Sequence, residues 1–251
     1  MSDTPSVLVT GAAKRIGRFI ACAFARRGWH VGLHYNSSAD EAAACKQEIE
    51  ALGGSASLMP CDLADPDAVG ALIEQAGTLN NWQALVNSAA IFERDRTATL
   101  THESWNRHQM INLEAPLRLS QAFARQVDPQ ANNLIINVID AKVLRPNQHY
   151  LSYSVAKSGL WYLTQAQALD LAPTVRVNAI GPGPTLVAPG QSDEVFEKMV
   201  AKQPLQRAPD ADEFDATVGF LLAARSVTGQ MIALDGGNHL GWQHVERVQP
   251  V

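Results

Sequence analysis

The feature that most constrains this chain is the regular exchange of two hydrophobic periods along its length. Short, nearly pure apolar runs alternate with longer stretches whose apolar residues recur at helical spacing. Ser6 to Thr10 is such a run, and it stops at Gly11. Arg15 to Gly28 then carries Ile16, Phe19, Ile20, Ala23 and Phe24 at the spacing of one helical face. The same reading predicts strands at His30 to Tyr35, Ser55 to Met59, Ala84 to Val86, Asn133 to Ile139, Val175 to Ile180 and Met231 to Leu234. It predicts helices at Ala39 to Leu52, from Pro66 onward, at Glu103 to Val127 with a bend at Pro116, and at Leu151 to Leu171. Two shorter ones follow at Glu194 to Ala201 and Ala211 to Ala223. Apolar runs without polar alternation suit strands buried on both faces. Strand–helix alternation therefore predicts a mainly parallel, seven-stranded sheet with helices on both sides, a doubly wound α/β fold. No linker or repeat interrupts the series, so residues 1–251 are read as one domain. Such a fold binds ligands at the carboxyl ends of its strands, near the point where strand order reverses.

Composition excludes several classes of function. With 18% charged residues and a net charge of -5, nothing indicates the clustered basic surface of a nucleic-acid binder. No run of about 18 apolar residues predicts a membrane span. Met1 to Pro5 lacks a basic and apolar leader, so a cytoplasmic location is the default expectation. Cys22, Cys45 and Cys61 match neither a zinc site nor a redox pair and are read as packed or free thiols. No histidine spacing suggests a ligand set, and no metal is expected.

The turn Thr10-Gly11-Ala12-Ala13-Lys14-Arg15-Ile16-Gly17-Arg18 joins a strand to a helix. Small residues there let backbone approach a pyrophosphate, whose charge the helix N-terminus attracts, as in a Rossmann-type dinucleotide site. NAD enzymes usually end their second strand with an acid that holds the ribose hydroxyls. Here that strand ends His34-Tyr35-Asn36-Ser37-Ser38, with no acid before Asp40. Hydroxyls, an amide and a histidine can donate to a 2′-phosphate, and Lys14 and Arg15 add positive charge. These signs favour NADPH, unless Lys14 and Arg15 are merely solvated residues of a helix start. Asp62 and Leu63 follow the third strand, where an acid can accept from an adenine amino group. Asn87, Ser88 and Ala89 follow the fourth, where small residues leave room for ribose and nicotinamide. A capping or turn role suits Asp62 and Asn87 equally well.

Tyr153 and Lys157 stand four apart near the start of a helix and share one face. A phenol near pKa 10 is a poor acid or base at neutral pH, and an adjacent ammonium is expected to lower that value. Together, Thr10-Gly11 with Ile16-Gly17, Asn87-Ser88-Ala89-Ala90, Tyr153 with Lys157, and Gly181-Pro182-Gly183 resemble the short-chain dehydrogenase/reductase superfamily from Ser6 to about His239. The resemblance implies that Lys157 also bonds the nicotinamide ribose, that Asn112 holds a water for proton relay, and that the protein is a homotetramer. Trp161 and Tyr162 could serve a subunit contact or the core.

Asp140 is the informative departure. The family usually has a serine at this place, thirteen residues before the tyrosine, whose hydroxyl steadies a substrate carbonyl. A carboxylate there repels the oxyanion formed during ketone reduction and instead suits a substrate with N–H donors or a ring nitrogen to be protonated. With the turn from Thr10 to Arg18 and Leu33-His34-Tyr35-Asn36-Ser37-Ser38-Ala39, this makes the chain similar to pteridine reductases and the related bacterial dihydrofolate and dihydromonapterin reductases. That resemblance implies hydride transfer to a pterin-like small molecule, with Asp140 and Tyr153 on the ring and Arg15 reaching both phosphate and pterin. It also implies that Pro182, Gly183 and Thr185 lie against the nicotinamide and its phosphates. Two positions depart from that branch. Ser37 stands where an arginine is usual, and Ile91, with Phe92 beside it, stands where an aromatic residue stacks on the pterin. Phe92 either takes over the stacking or packs under a loop. Two other functions stay open: an NADPH reductase of another small carbonyl or imine, and a non-catalytic dinucleotide-sensing protein.

Overall fold

The computed structural model describes residues 4–188 and 190–241. The reading of Met1 to Pro5 therefore falls partly outside the described residues.

Seven strands form one sheet: β1 (Ser6–Val9), β2 (His30–Tyr35), β3 (Ser55–Pro60), β4 (Trp82–Asn87), β5 (Asn133–Val138), β6 (Val175–Pro182) and β7 (Met231–Leu234). Their order is β3-β2-β1-β4-β5-β6-β7, and every pairing is parallel. The strands of the middle are apolar because both faces are covered, as β1 and β5 are buried at every position. Order reverses between β1 and β4, and the carboxyl ends of those strands are where such a fold takes its ligands.

Helices α1 (Arg15–Ala25), α2 (Ala39–Ala51) and α3 (Pro66–Ala76) alternate with the first strands. After β4 come α4 (His102–Gln109) and α5 (Ala115–Gln126), and after β5 comes α6 (Leu151–Asp170). Helices α7 (Asp193–Ala201) and α8 (Ala211–Ala223) lie between β6 and β7. On one face, Ile20, Phe24, Ile49, Phe214 and Val218 from α1, α2 and α8 pack on Val7, Val9, Val31 and Leu33. On the other, Leu72, Leu119 and Phe123 from α3 and α5 pack on Leu8, Leu85 and Ile135. Each such fully buried side chain contributes about 2 kcal/mol of hydrophobic stabilisation.

The stretch expected as one bent helix, Glu103 to Val127, differs. Between α4 and α5 the chain makes a π-helical turn over Met110–Glu114, and the Ala115 N–H donates five residues back to the Met110 carbonyl. Pro116 has no N–H for the carbonyl four residues earlier, that of Asn112, and its ring crowds that position. The widened turn lies upstream of the proline and absorbs this misfit.

Candidate active site

The glycine turn is built by close approach. Gly11 has φ +64°, and a Cβ there would lie 2.9 Å from the Ala89 Cα. A Cβ on Gly17 would lie 2.1 Å from the Gly11 carbonyl oxygen, so neither position admits a side chain. The Thr10 hydroxyl accepts from the Ser88 and Ala89 N–H groups at 2.9 and 3.0 Å and donates to the Val86 carbonyl at 3.3 Å. It thereby binds the end of β1 to the end of β4, a role sequence reasoning did not assign to it. Ile16 packs on the core. Arg15 adopts φ 56°, a conformation that costs a non-glycine residue about 1 kcal/mol. Its guanidinium donates to the Val187 and Leu186 carbonyls at 2.8 and 3.3 Å, joining the turn to the loop after β6. Lys14 pairs with Glu41 at 3.9 Å on the surface, a contact of little energetic weight.

The side chains of His34 and Asn87, two residues expected at the cofactor end, are engaged by the protein. His34 is buried; its Nδ1 accepts from the Gly11 N–H at 3.0 Å and its Nε2 donates to the Cys61 carbonyl at 3.1 Å. Both ring nitrogens are occupied, so His34 braces the glycine turn and has no donor left for a 2′-phosphate. Burial lowers its pKa to about 4, with the Cys61 bond and Asp62 opposing. Asn87 turns inward and donates to Asn137 Oδ1 at 2.8 Å and Ser120 Oγ at 3.5 Å, so it fastens β4 to β5. Asp62 makes a turn, accepting from the Ala64 N–H at 2.9 Å, while Leu63 packs in the core. Tyr35 lies against the core, and Asn36 and Ser37 are exposed beyond the end of β2. Pro182 ends β6; the Gly183 N–H donates to the Leu234 carbonyl at 2.8 Å, and the Thr185 hydroxyl to the Gly183 carbonyl at 2.9 Å.

Tyr153 and Lys157 lie one turn apart on α6, both buried. The Tyr153 hydroxyl donates to Asp140 Oδ2 at 3.0 Å. The other carboxylate oxygen accepts from the Lys142 N–H at 2.8 Å, which fixes its orientation. Lys157 Nζ donates to the Val138 carbonyl at 2.7 Å and lies 5.9 Å from the Tyr153 ring centroid. The expected lowering of the tyrosine pKa is not what this geometry produces. Burial raises it well above the ordinary value, and the charge and hydrogen bond of Asp140 raise it further. Burial brings Lys157 down to about 8, with Asp140 working against that shift. The ammonium has three N–H donors and one protein acceptor, so two remain for hydroxyls such as those of a ribose.

Asn112 is tied to the loop after β4. Its side chain pairs twice with the Ile91 backbone, donating to the carbonyl at 3.0 Å and accepting from the N–H at 2.9 Å. The side chain thereby holds the loop after β4. That loop brings in Phe92, which stacks on Tyr150 at 4.0 Å and 11° and meets Tyr153 edge-on at 4.7 Å. Phe92 is 41% exposed and belongs to the cleft rather than the core. Asp95 was not read from the sequence. It is buried, accepts from the Ser152 N–H at 3.2 Å and from the Ser152 hydroxyl, and so caps the start of α6 from another segment. Tyr150, which needs that help, sits in the left-handed region with no side-chain cap of its own. Tyr153, Asp140, Lys157 and Phe92 thus share one cleft, and Arg15 crosses to the loop after β6. Among the described residues no group of His, Cys, Asp or Glu could hold a metal, and the three cysteines are buried and free.

Known proteins are similar to this chain in sequence and fold. Residues 11–239 match a family model described as Enoyl-(Acyl carrier protein) reductase. The 3-oxoacyl-[acyl-carrier-protein] reductase FabG of Staphylococcus aureus is 31% identical, covering 96% of this chain and all of its own length. FolM alternative dihydrofolate reductase 1 from Brucella suis, solved with NADP, superposes with a TM-score of 0.89 at 42% identity, covering 95% of this chain and 96% of its own. The angucycline C-6 ketoreductase LanV, also with NADP bound, gives 0.88 at 28% identity over 94% of this chain and 96% of its own. Because the match runs unbroken from the glycine turn past the last strand, with the tyrosine and lysine on the helix between them, this chain belongs to the short-chain dehydrogenase/reductase family.

Proposed function

We propose that this protein is an NADPH-dependent reductase of a pterin or dihydropterin. The observation that carries the reading is the carboxylate of Asp140, 3.0 Å from the Tyr153 hydroxyl, where a neutral hydroxyl would serve a ketone. A carboxylate attracts the N–H edge of an aminated nitrogen ring and repels a developing alkoxide. The likeness to the FolM enzyme from Brucella suis points the same way. NADPH suits the absence of an acid at the end of β2, where Asn36 and Ser37 are exposed, and the proximity of Lys14 and Arg15.

NADPH supplies the hydride when bound. Lys157 offers its two remaining N–H groups to the ribose and stays largely cationic at neutral pH, its pKa being about 8. Gly11 and Gly17 let the turn close tightly at the strand end where the cofactor would lie. Tyr153, held protonated by burial and by Asp140, donates a proton to the nitrogen anion that forms as a C=N bond accepts hydride. That nitrogen is a stronger base than a phenolate, so the raised tyrosine pKa does not prevent the transfer. Asp140 orients the phenol and accepts from the ring's N–H groups. Phe92 offers an aromatic face beside Tyr153.

The test is NADPH oxidation with a panel of dihydropterins beside a panel of small ketones and 3-oxoacyl thioesters. We expect kcat/KM for the best dihydropterin to exceed that for the best ketone by about 100-fold. Ketone turnover with no dihydropterin turnover contradicts the reading.

A further inference from the structure

The mouth of the cleft carries cations that nothing in the reduction requires. Lys142 Nζ lies 4.6 Å from the Phe92 ring centroid and 4.7 Å from that of Tyr150, the two rings being stacked on each other. Its side chain forms no hydrogen bond or ion pair among the described residues, although its own N–H fixes Asp140. Burial lowers its pKa, and Asp140 only partly opposes that. An ammonium with three donors, half withdrawn from water and resting on aromatic rings, lacks an acceptor. It is not alone. His149 has a lowered pKa through its own desolvation and then through the charges of Arg96, Arg94 and Lys142. Arg96 donates to His149 at 2.9 Å, whereas Arg94 has no hydrogen bond or ion pair among the described residues. The neighbouring acids are engaged: Glu93 pairs with Arg107 at 3.1 Å, and Asp95 is buried as the cap of α6. On a chain of net charge -5, this local excess of positive charge stands at the mouth of the catalytic cleft.

We propose that Lys142 binds a carboxylate on the side chain of the substrate, so that the enzyme prefers a pterin carrying an anionic tail over one with a neutral tail. This rests on the pterin reading of the Asp140–Tyr153 pair and deepens it. The ring would lie toward Tyr153 and Asp140, the tail would pass the Phe92–Tyr150 stack, and the carboxylate would supply the acceptor that the ammonium lacks. A charge-assisted contact of this kind changes affinity by about tenfold.

The experiment compares dihydrofolate, whose tail is a glutamate, with a dihydropterin bearing a neutral hydroxyalkyl chain. Lys142→Met keeps the length of the stem and removes the charge; Lys142→Arg keeps the charge. We expect Lys142→Met to raise KM for dihydrofolate about tenfold with kcat within about twofold, to leave the neutral substrate's KM within about twofold, and Lys142→Arg to restore most of the preference. The wild-type enzyme gives a readout that needs no variant: added salt should raise KM for dihydrofolate and not for the neutral substrate. Turnover of both substrates with a KM ratio unmoved by salt and by Lys142→Met overturns this inference alone. Absence of turnover with any dihydropterin overturns the pterin reading, and this inference with it.

Discussion

The floor of the cleft and its rim are both rich in polar residues, yet they differ in what those residues hold. On the floor, Thr10, His34, Asn87 and Asn112 direct their side-chain hydrogen bonds to other parts of the protein. They fix the glycine turn, the ends of β1 and β4 and the loop that follows β4. At the rim, Tyr153, Asp140 and Lys157 keep donors or acceptors that the protein does not fill. A polar residue inside a fold is therefore not a contact to a ligand until its partners are counted. The floor positions backbone against which a dinucleotide can lie, and the rim performs the chemistry.

Substitutions on the two sides should separate cleanly. The largest effect belongs to the rim: Tyr153→Phe removes the proton donor and should lower kcat by about 10³-fold, with the NADPH dissociation constant changed less than about threefold. Stopped-flow reduction and cofactor titration measure the two. A residual rate within tenfold of wild type would move the proton donor elsewhere. A floor substitution should act on stability instead. His34 has its pKa depressed in the fold to about 4, from an ordinary 6.5, so the unfolded chain binds the proton first as pH falls. Its contribution is fully present above pH 6.5 and is lost as pH falls through 4, amounting to about 3 kcal/mol. His34→Gln should flatten that part of the stability profile, as urea unfolding at successive pH values would record, while sparing kcat at neutral pH. An unchanged acid profile in the variant would mean that His34 does not carry the proton linkage.

The same contrast explains what was legible in the sequence. The strands were legible because double burial leaves uninterrupted apolar runs, and β2 and β7 have the bounds that their periodicity predicts. The site was legible where chemistry dictates residue type: Tyr153 and Lys157 by their spacing, Asp140 by being an acid in a hydroxyl's place. What stayed hidden was partnership. Nothing in the letters His34 or Asn112 reveals that both ring nitrogens, or both ends of an amide, are taken by distant backbone. Pro116 was read as a bend, but the strain is released upstream, at a turn whose residues Met110 to Glu114 look ordinary for a helix. Asp95, Tyr150 and Lys142 lie in aperiodic segments and acquire their roles only when the loop after β4 folds against the start of α6.

The central claim is that the carboxylate of Asp140 selects a nitrogen ring over a ketone. Its most direct test is the ratio of kcat/KM for a dihydropterin to that for a small ketone, measured in the wild-type enzyme and in Asp140→Ser under the same conditions. The account predicts that the ratio falls about tenfold or more in the variant, through slower dihydropterin reduction. A ratio that stays within about twofold of wild type would contradict it, because the carboxylate would then have no part in choosing the substrate.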